Sequence, residues 1–219
     1  VGAWDGLRVE GLVGSLGTPE ELLEELVPVL APLRPVVPQL RGGSVVTVGG
    51  SAALGTALVA GAARGEEWAA VVGVPEFGVA AAVGMGADPD RLLLADAPGG
   101  RWTEVVAALA EGVRLVLVRP PARPAPAQAR RLVAVARKHG CALAVLGPWE
   151  GAHLRLTVSD ASWEGLGQGH GLLRARRARV TATGRTAPGR GRSAWLFLPG
   201  PDGRVASAPT PFRRLGVVA

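Results

Sequence analysis

Apolar and polar positions change rhythm twice along the chain. In the first stretch Leu22, Leu23, Leu26, Val27 and Leu30 recur at helical spacing. Thr18-Pro19-Glu20-Glu21 precedes them, a capping residue followed by Pro at the first helical position and Glu at the third. This predicts a helix that Pro35 and Pro38 close, so residues 1–43 read as an N-terminal helical segment.

From residue 44 short apolar runs alternate with helical stretches of ten to fifteen residues. The runs SVVTV (44–48), WAAVVGV (68–74), RLLLADA (91–97), VRLVLVR (113–119) and CALAVLG (141–147) read as strands. Between them AALGTALVAGAA, WTEVVAALAEG and PAQARRLVAVARKHG read as helices, and EFGVAAAVGMG as a helix or partial helix. Strands that are apolar on both faces require cover on both sides, which is the signature of a parallel sheet. After Gly147 the rhythm becomes that of strands in succession: HLRLTVSDASWEGLG, GLLRARRARVTATGR and SAWLFLPGPDGRV. They are expected to extend the sheet antiparallel at one edge, with TAPGRGR (186–192) as a hairpin loop. The core then runs over 44–205, and 206–219 reads as a mobile tail.

Composition changes this picture in two ways. The chain contains no Ile, Asn or Tyr, and Lys138 is its single lysine. Depletion of residues with AT-rich codons marks a GC-rich coding sequence, so abundant Arg, Gly and Pro are weak evidence of either binding or disorder. Charge, however, is unevenly placed. Residues 1–150 carry 13 Lys+Arg against 15 Asp+Glu, and residues 151–219 carry 11 Arg against 3 Asp+Glu. An anionic partner is therefore to be sought in the C-terminal third. Cys141, the lone cysteine, lies in an apolar run and reads as a buried structural thiol. No apolar run is long enough to span a bilayer, and a cytoplasmic location, nucleoid-associated when recruited, is expected.

The strand SVVTV leads into Gly50-Ser51-Ala52-Ala53-Leu54-Gly55-Thr56-Ala57. Its two glycines have the spacing of a phosphate-binding loop between strand and helix. Thr56 stands where the loop's Lys belongs, and Ala57 where the metal-binding Ser or Thr belongs. VRLVLV, the strand suited to end in a metal-binding acid, ends in Arg119. These groups supply most of the charge stabilisation in phosphoryl transfer. Gly50, Gly55 and Thr56 are therefore read as a relic loop, and no enzyme activity, cofactor or metal is expected. His139, His153 and His170 have no partner at ligand or catalytic spacing. Trp149 and Trp163 read as packing over the sheet edge, with base stacking as the other use.

The run from Trp68 to Pro121 resembles the RecA recombinase core. Met85-Gly86-Ala87-Asp88-Pro89-Asp90-Arg91-Leu92 matches the turn before its third strand, and Glu76 falls near its catalytic glutamate. The resemblance implies a RecA-like P-loop core in which Glu76 and Arg119 are vestigial. No long insertion like RecA's DNA-binding loops separates Gly147 from His153. More narrowly, VVGVPEFG, VRPPARPAPAQARRL, LRLTVSDASWEGLGQGHGLLRARR and LPGPDGRV resemble actinobacterial ImuA-like proteins, shortened RecA relatives. That family implies damage-induced mutagenesis and translesion synthesis. The implied partners are an ImuB-like inactive Y-family polymerase and, indirectly, the sliding clamp and an error-prone C-family polymerase.

Candidate contacts for a partner or for DNA are Arg174, Arg176, Arg177, Arg179 and Arg185 on the basic strand, and Phe212, Arg213 and Arg214 in the tail. Strand alternation puts Arg174 and Arg176 on one face and Arg177 and Arg179 on the other. Two further readings of the strand stay open: a solvated edge whose charge blocks aggregation, and a single-stranded DNA-binding module.

Overall fold

The computed structural model describes residues 26–166, 171–185 and 187–211. Eleven strands are formed among them: β1 (Leu26–Val27), β2 (Leu40–Arg41), β3 (Val45–Gly49), β4 (Ala69–Val72), β5 (Leu92–Ala95), β6 (Leu115–Val118), β7 (Ala142–Leu146), β8 (Leu154–Leu166), β9 (Gly171–Gly184), β10 (Ala187–Phe197) and β11 (Ala206–Ser207). The helices are α1 (Ala52–Ala62), α2 (Val79–Gly84), α3 (Trp102–Ala110) and α4 (Pro126–Lys138). Short 3-10 turns form at Ala31–Leu33, Pro89–Arg91 and Gly99–Arg101.

Nine strands make one mixed sheet in the order β11-β10-β9-β8-β3-β7-β6-β4-β5. Strands β3 to β8 run parallel, and β9 to β11 alternate in direction. The α/β fold and the mostly parallel sheet match the sequence pattern. One detail differs: β8 begins the C-terminal extension but joins β3 in parallel, and the antiparallel part starts at β9.

Side chains separate into two cores by strand alternation. On one face Val46, Val48, Val71, Leu115 and Leu117 pack under α1 and α2. On the other Val45, Val72, Val116, Leu143 and Val145 pack under α3 and α4, with Trp102, Leu132 and Trp149. Nine of the eleven residues of α1 are buried, because a second layer lies over it. The segment holding Val27, Leu30, Leu33, Val36, Val37 and Leu40 packs into the same core. A Cβ on Gly61 would stand 3.0 Å from the Pro28 carbonyl and the Leu30 amide, so the crossing chain needs glycine there.

Three sequence expectations are corrected. Residues 26–30 are not helical: Leu26–Val27 pairs with Leu40–Arg41. Pro28 and Pro32 explain this, since each lacks the N–H a helix interior needs; the expected helix start at 18–25 lies outside the described residues. The segment 187–192, read as a loop, belongs to β10, with a register shift between Ala187 and Arg192. Ala206–Ser207, read as tail, pairs with Leu196–Phe197. Phe212, Arg213, Arg214 and His170 lie outside the described residues.

Candidate functional site

The turn after β3 is built around Gly50. Its φ of 81° is a conformation that glycine adopts without cost, and a Cβ would stand 2.8 Å from the Val158 carbonyl oxygen. After Ser51 the helix starts at once at Ala52. Ala52, Ala53 and Leu54 favour helix, and Leu54 is fully buried. The loop between strand and helix is thus two residues long, too short to wrap a phosphate. Gly55 lies within α1, where a Cβ would come 3.2 Å from methyl groups of Leu117 and Leu146. Its role is close approach of helix to sheet. Thr56 is 7% exposed, and its hydroxyl donates to the Ala52 carbonyl at 3.2 Å. Of the expected relic loop, Gly50 holds a turn position and Gly55 and Thr56 serve helix packing.

A second feature sits at the carboxyl ends of β4 and β6. These strands are neighbours, but β4 connects outward to β5 while β6 connects back to β7. Such a reversal opens the crevice in which α/β sheets bind ligands. Here Glu76, just beyond β4, and Arg119, just beyond β6, form an ion pair across it. The Arg119 amide also donates to the Val72 carbonyl at 3.0 Å. The backbone N–H of Glu76 and then the Arg119 guanidinium hold the Glu76 carboxyl below its ordinary value of 4.5. The crevice thus holds one carboxylate and the cation paired with it. Among the described residues no cluster of three His, Cys, Asp or Glu side chains could hold a metal.

The C-terminal strands carry the basic residues on two faces, as alternation requires. Ala178, Val180 and Ala182 of β9 are buried, the last two in the α1 core. Arg176 lies on that side and donates to the Ser51 hydroxyl at 2.8 Å, beside the turn at Gly50. Arg177 and Arg179 lie on the opposite side. Arg177 stands 3.8 Å from Glu164, and Arg179 donates to the Ser193 hydroxyl at 3.3 Å. Arg174 is exposed. Arg185 turns toward α4 and donates to the Gly151 carbonyl at 3.1 Å.

Two features escaped the sequence reading. First, β8 and β9 are 13 and 14 residues long, but β3 pairs only with residues 154–157 of β8. Past Ser162 on β8 and Arg176 on β9 the hairpin leaves the sheet as an arm. Asp160 has φ 50° at a register shift between Ser159 and Ser162, the usual setting of a bulge that bends a strand. The arm exposes Trp163, Leu166, Leu172 and Leu173, at 46, 62, 76 and 53%. Second, Trp195 and Phe197 share the face of Arg179 and Arg177, opposite them across the β9–β10 ladder. The alternation in SAWLF carried that signal.

The remaining candidates are structural. Cys141 is fully buried, and burial pushes its thiol up to about 12. Trp149 is buried in the second core, whereas Trp163 is exposed. The Val45 amide donates to His153 Nδ1 at 3.0 Å. Desolvation, then Arg185 and Arg137, hold that imidazole below 6.5.

The fold and the ion-paired crevice define a one-sheet α/β domain with a long antiparallel wing. The model of the MT3502 N-terminal domain family matches residues 35–151, more than half of the chain. The uncharacterized protein Rv3395c of Mycobacterium tuberculosis is 36% identical over 165 residues, covering 74% of this chain and 80% of that protein. The chain belongs to this family.

Proposed function

We propose that the protein is a non-catalytic, RecA-like adaptor of a translesion-synthesis assembly, binding an ImuB-like inactive Y-family polymerase. The observation that carries the protein-binding part is the β8–β9 arm. Four large apolar side chains stand exposed on a projection flanked by Arg174 and Arg176. Large exposed apolar side chains beside basic residues are characteristic of an interface. The ion pair of Glu76 and Arg119 supports the non-catalytic part. A cation in the crevice opposes metal, and the short turn at Gly50 offers no phosphate cradle. The RecA-like assignment draws support from the glycine turn after β3, a strand in the interior of the sheet, and from the motif matches around Asp88–Leu92. A role in DNA-damage-induced mutagenesis in the cytoplasm follows from the ImuA resemblance.

Co-purification with the ImuB-like polymerase homologue tests the proposal. The full chain is expected to be retained, and a Leu166→Ser/Leu172→Ser variant to lose at least tenfold in affinity. Retention of that variant at unchanged affinity, with the fold intact by circular dichroism, overturns the role of the arm. Magnesium-dependent ATP turnover that Glu76→Gln abolishes overturns the non-catalytic assignment.

A further inference from the structure

The two faces of the sheet are covered unequally. Helices α3 and α4 cover the second face over β3, β7, β6 and β4; over its continuation on β8, β9 and β10 the described residues leave an open surface, with Thr210 and Pro211 at its β10 edge. Register and burial identify what stands there. Leu154 and Leu156 point into the α1 core, so Arg155, Thr157 and Ser159 take the other side. Opposite them on β9 are Thr183, Thr181 and Arg179. Opposite Thr181, Arg179 and Arg177 on β10 are Ser193, Trp195 and Phe197. The face is therefore a flat lawn of hydroxyls carrying three guanidiniums and two aromatic rings, with no aliphatic side chain larger than a Thr methyl.

Chemistry and spacing select the occupant. A protein partner is normally met by a patch with an apolar centre, which this face does not have, whereas the arm exposes Trp163, Leu166, Leu172 and Leu173. Guanidiniums and hydroxyls are donors for phosphate and sugar oxygens. Aromatic rings on an open sheet stack unpaired bases. Trp195 and Phe197 are two residues apart on one strand, roughly 6.8 Å, so successive bases splayed from a single strand can each meet a ring. Arg179 with Trp195 and Arg177 with Phe197 hold directly opposed positions of the ladder. A groove of about 890 Å³ lined by Asp160, Arg177, Arg179, Ser193 and Trp195 runs over this surface. Asp160 and Glu164 are the acidic groups at its arm end, and three arginines outnumber them.

We infer that this uncovered face of β8, β9 and β10 binds single-stranded nucleic acid, with Arg155, Arg177 and Arg179 on phosphates and Trp195 and Phe197 under bases. The inference is independent of the adaptor role, which uses the arm.

The test is fluorescence anisotropy of a fluorescein-labelled oligothymidylate titrated with the full chain. Three phosphate contacts predict a log–log salt slope of about −2 for a single strand, or roughly a fifteenfold loss of affinity between 50 and 200 mM salt. Arg155→Glu/Arg179→Glu, both at exposed positions, is expected to weaken binding at least tenfold with an unchanged melting temperature. Trp195→Ala is expected to weaken it roughly tenfold, and Trp195→Phe to restore most of the loss. Arg174→Glu, off this face, serves as the control and is expected to change affinity less than threefold. Equal competition by duplex DNA or by polyglutamate overturns the inference, because neither presents unpaired bases. Unchanged affinity in both the charge-reversed and the Trp195→Ala variants, each folded, also overturns it. The polymerase pull-down with these variants is expected to be unaffected, which separates failure here from failure of the adaptor proposal.

Discussion

The parallel half of the sheet and its antiparallel wing are built on opposite plans. Over β3, β4, β6 and β7 both faces are covered, and their side chains fall into two buried cores. At the carboxyl ends of β4 and β6 stands the ion pair of Glu76 and Arg119. From β8 to β10 one face is buried and the other is left open by the described residues, and the hairpin projects past the sheet. The family match at 35–151 ends just before β8 begins. The difference teaches that cover decides what a strand may carry: the covered strands hold aliphatic side chains, and the strands left open on one face hold arginines, hydroxyls and aromatic rings.

The comparison is tested most severely by putting the same lysine in both halves. Thr56→Lys puts back the lysine that a phosphate-binding loop carries. In this fold it forces an ammonium into the α1 core, where Thr56 is 7% exposed. An unpaired buried charge costs about 3 kcal/mol or more. We expect chemical denaturation to show that loss, with no ATP turnover gained. Thr181→Lys, on the bare face, is expected to change stability by about 0.5 kcal/mol or less. Similar losses in the two variants would contradict the plan of one buried and one bare region.

A smaller effect is expected where the two halves are joined. His153 precedes β8, and its Nδ1 accepts from the Val45 amide at the start of β3. Its folded-state pKa is lowered by desolvation and by Arg185 and Arg137, so the neutral ring is the one the fold retains. Such a group adds stability above the unfolded value of 6.5, and that stability is lost as pH falls through the folded value. Stability is expected to decline below pH 6.5. His153→Ala is expected to cost about 1–3 kcal/mol by leaving the Val45 N–H without this acceptor and to flatten that decline. A pH profile identical to that of the parent would remove His153 from the account.

The parallel half also predicts its own alkaline limit. The Cys141 thiol is raised from 9.0 to about 12 by burial. The contribution is complete below 9 and lost as pH rises toward 12, because the unfolded chain ionises first. By pH 10 the loss is about 1 kcal/mol. Cys141→Ala is expected to abolish that slope in urea melts. Ellman's reagent is expected to find no thiol in the native protein, and rapid native labelling would contradict the burial.

How much of this was legible follows from the range of the forces involved. The five strands 44–147 were readable because cover on both faces makes each an unbroken apolar run. The two-face placement of Arg176 against Arg177 and Arg179 was readable because strand alternation is local. The N-terminal helix failed at residues 26–30 because Pro28 and Pro32 outweighed an apolar spacing that also suits burial over α1. The phosphate-loop reading failed in detail because glycine spacing does not say where a helix begins, and Ala52–Leu54 start it early. Trp195 and Phe197 were missed because their meaning depends on register with β9, a long-range pairing. The Glu76–Arg119 contact had the same origin. Each residue was singled out in sequence, but their meeting depends on β4 and β6 lying side by side.

The smallest effect on stability is expected at the arm. A two-stranded ribbon with neither edge on a sheet gains little from its own pairing, and Leu172 and Leu173 are 76 and 53% exposed. Leu172→Ser/Leu173→Ser therefore removes little buried apolar area, and we expect a change of about 0.5 kcal/mol or less. Exposed apolar surface is still costly in water, and a bare ribbon edge invites pairing with other chains. The variant should bind less anilinonaphthalene sulfonate and self-associate less in sedimentation, while its melting temperature stays within about 2 °C. A loss of about 2 kcal/mol or more would show that the arm packs against the body as a core does. The wing would then be part of the scaffold and not its exposed working surface.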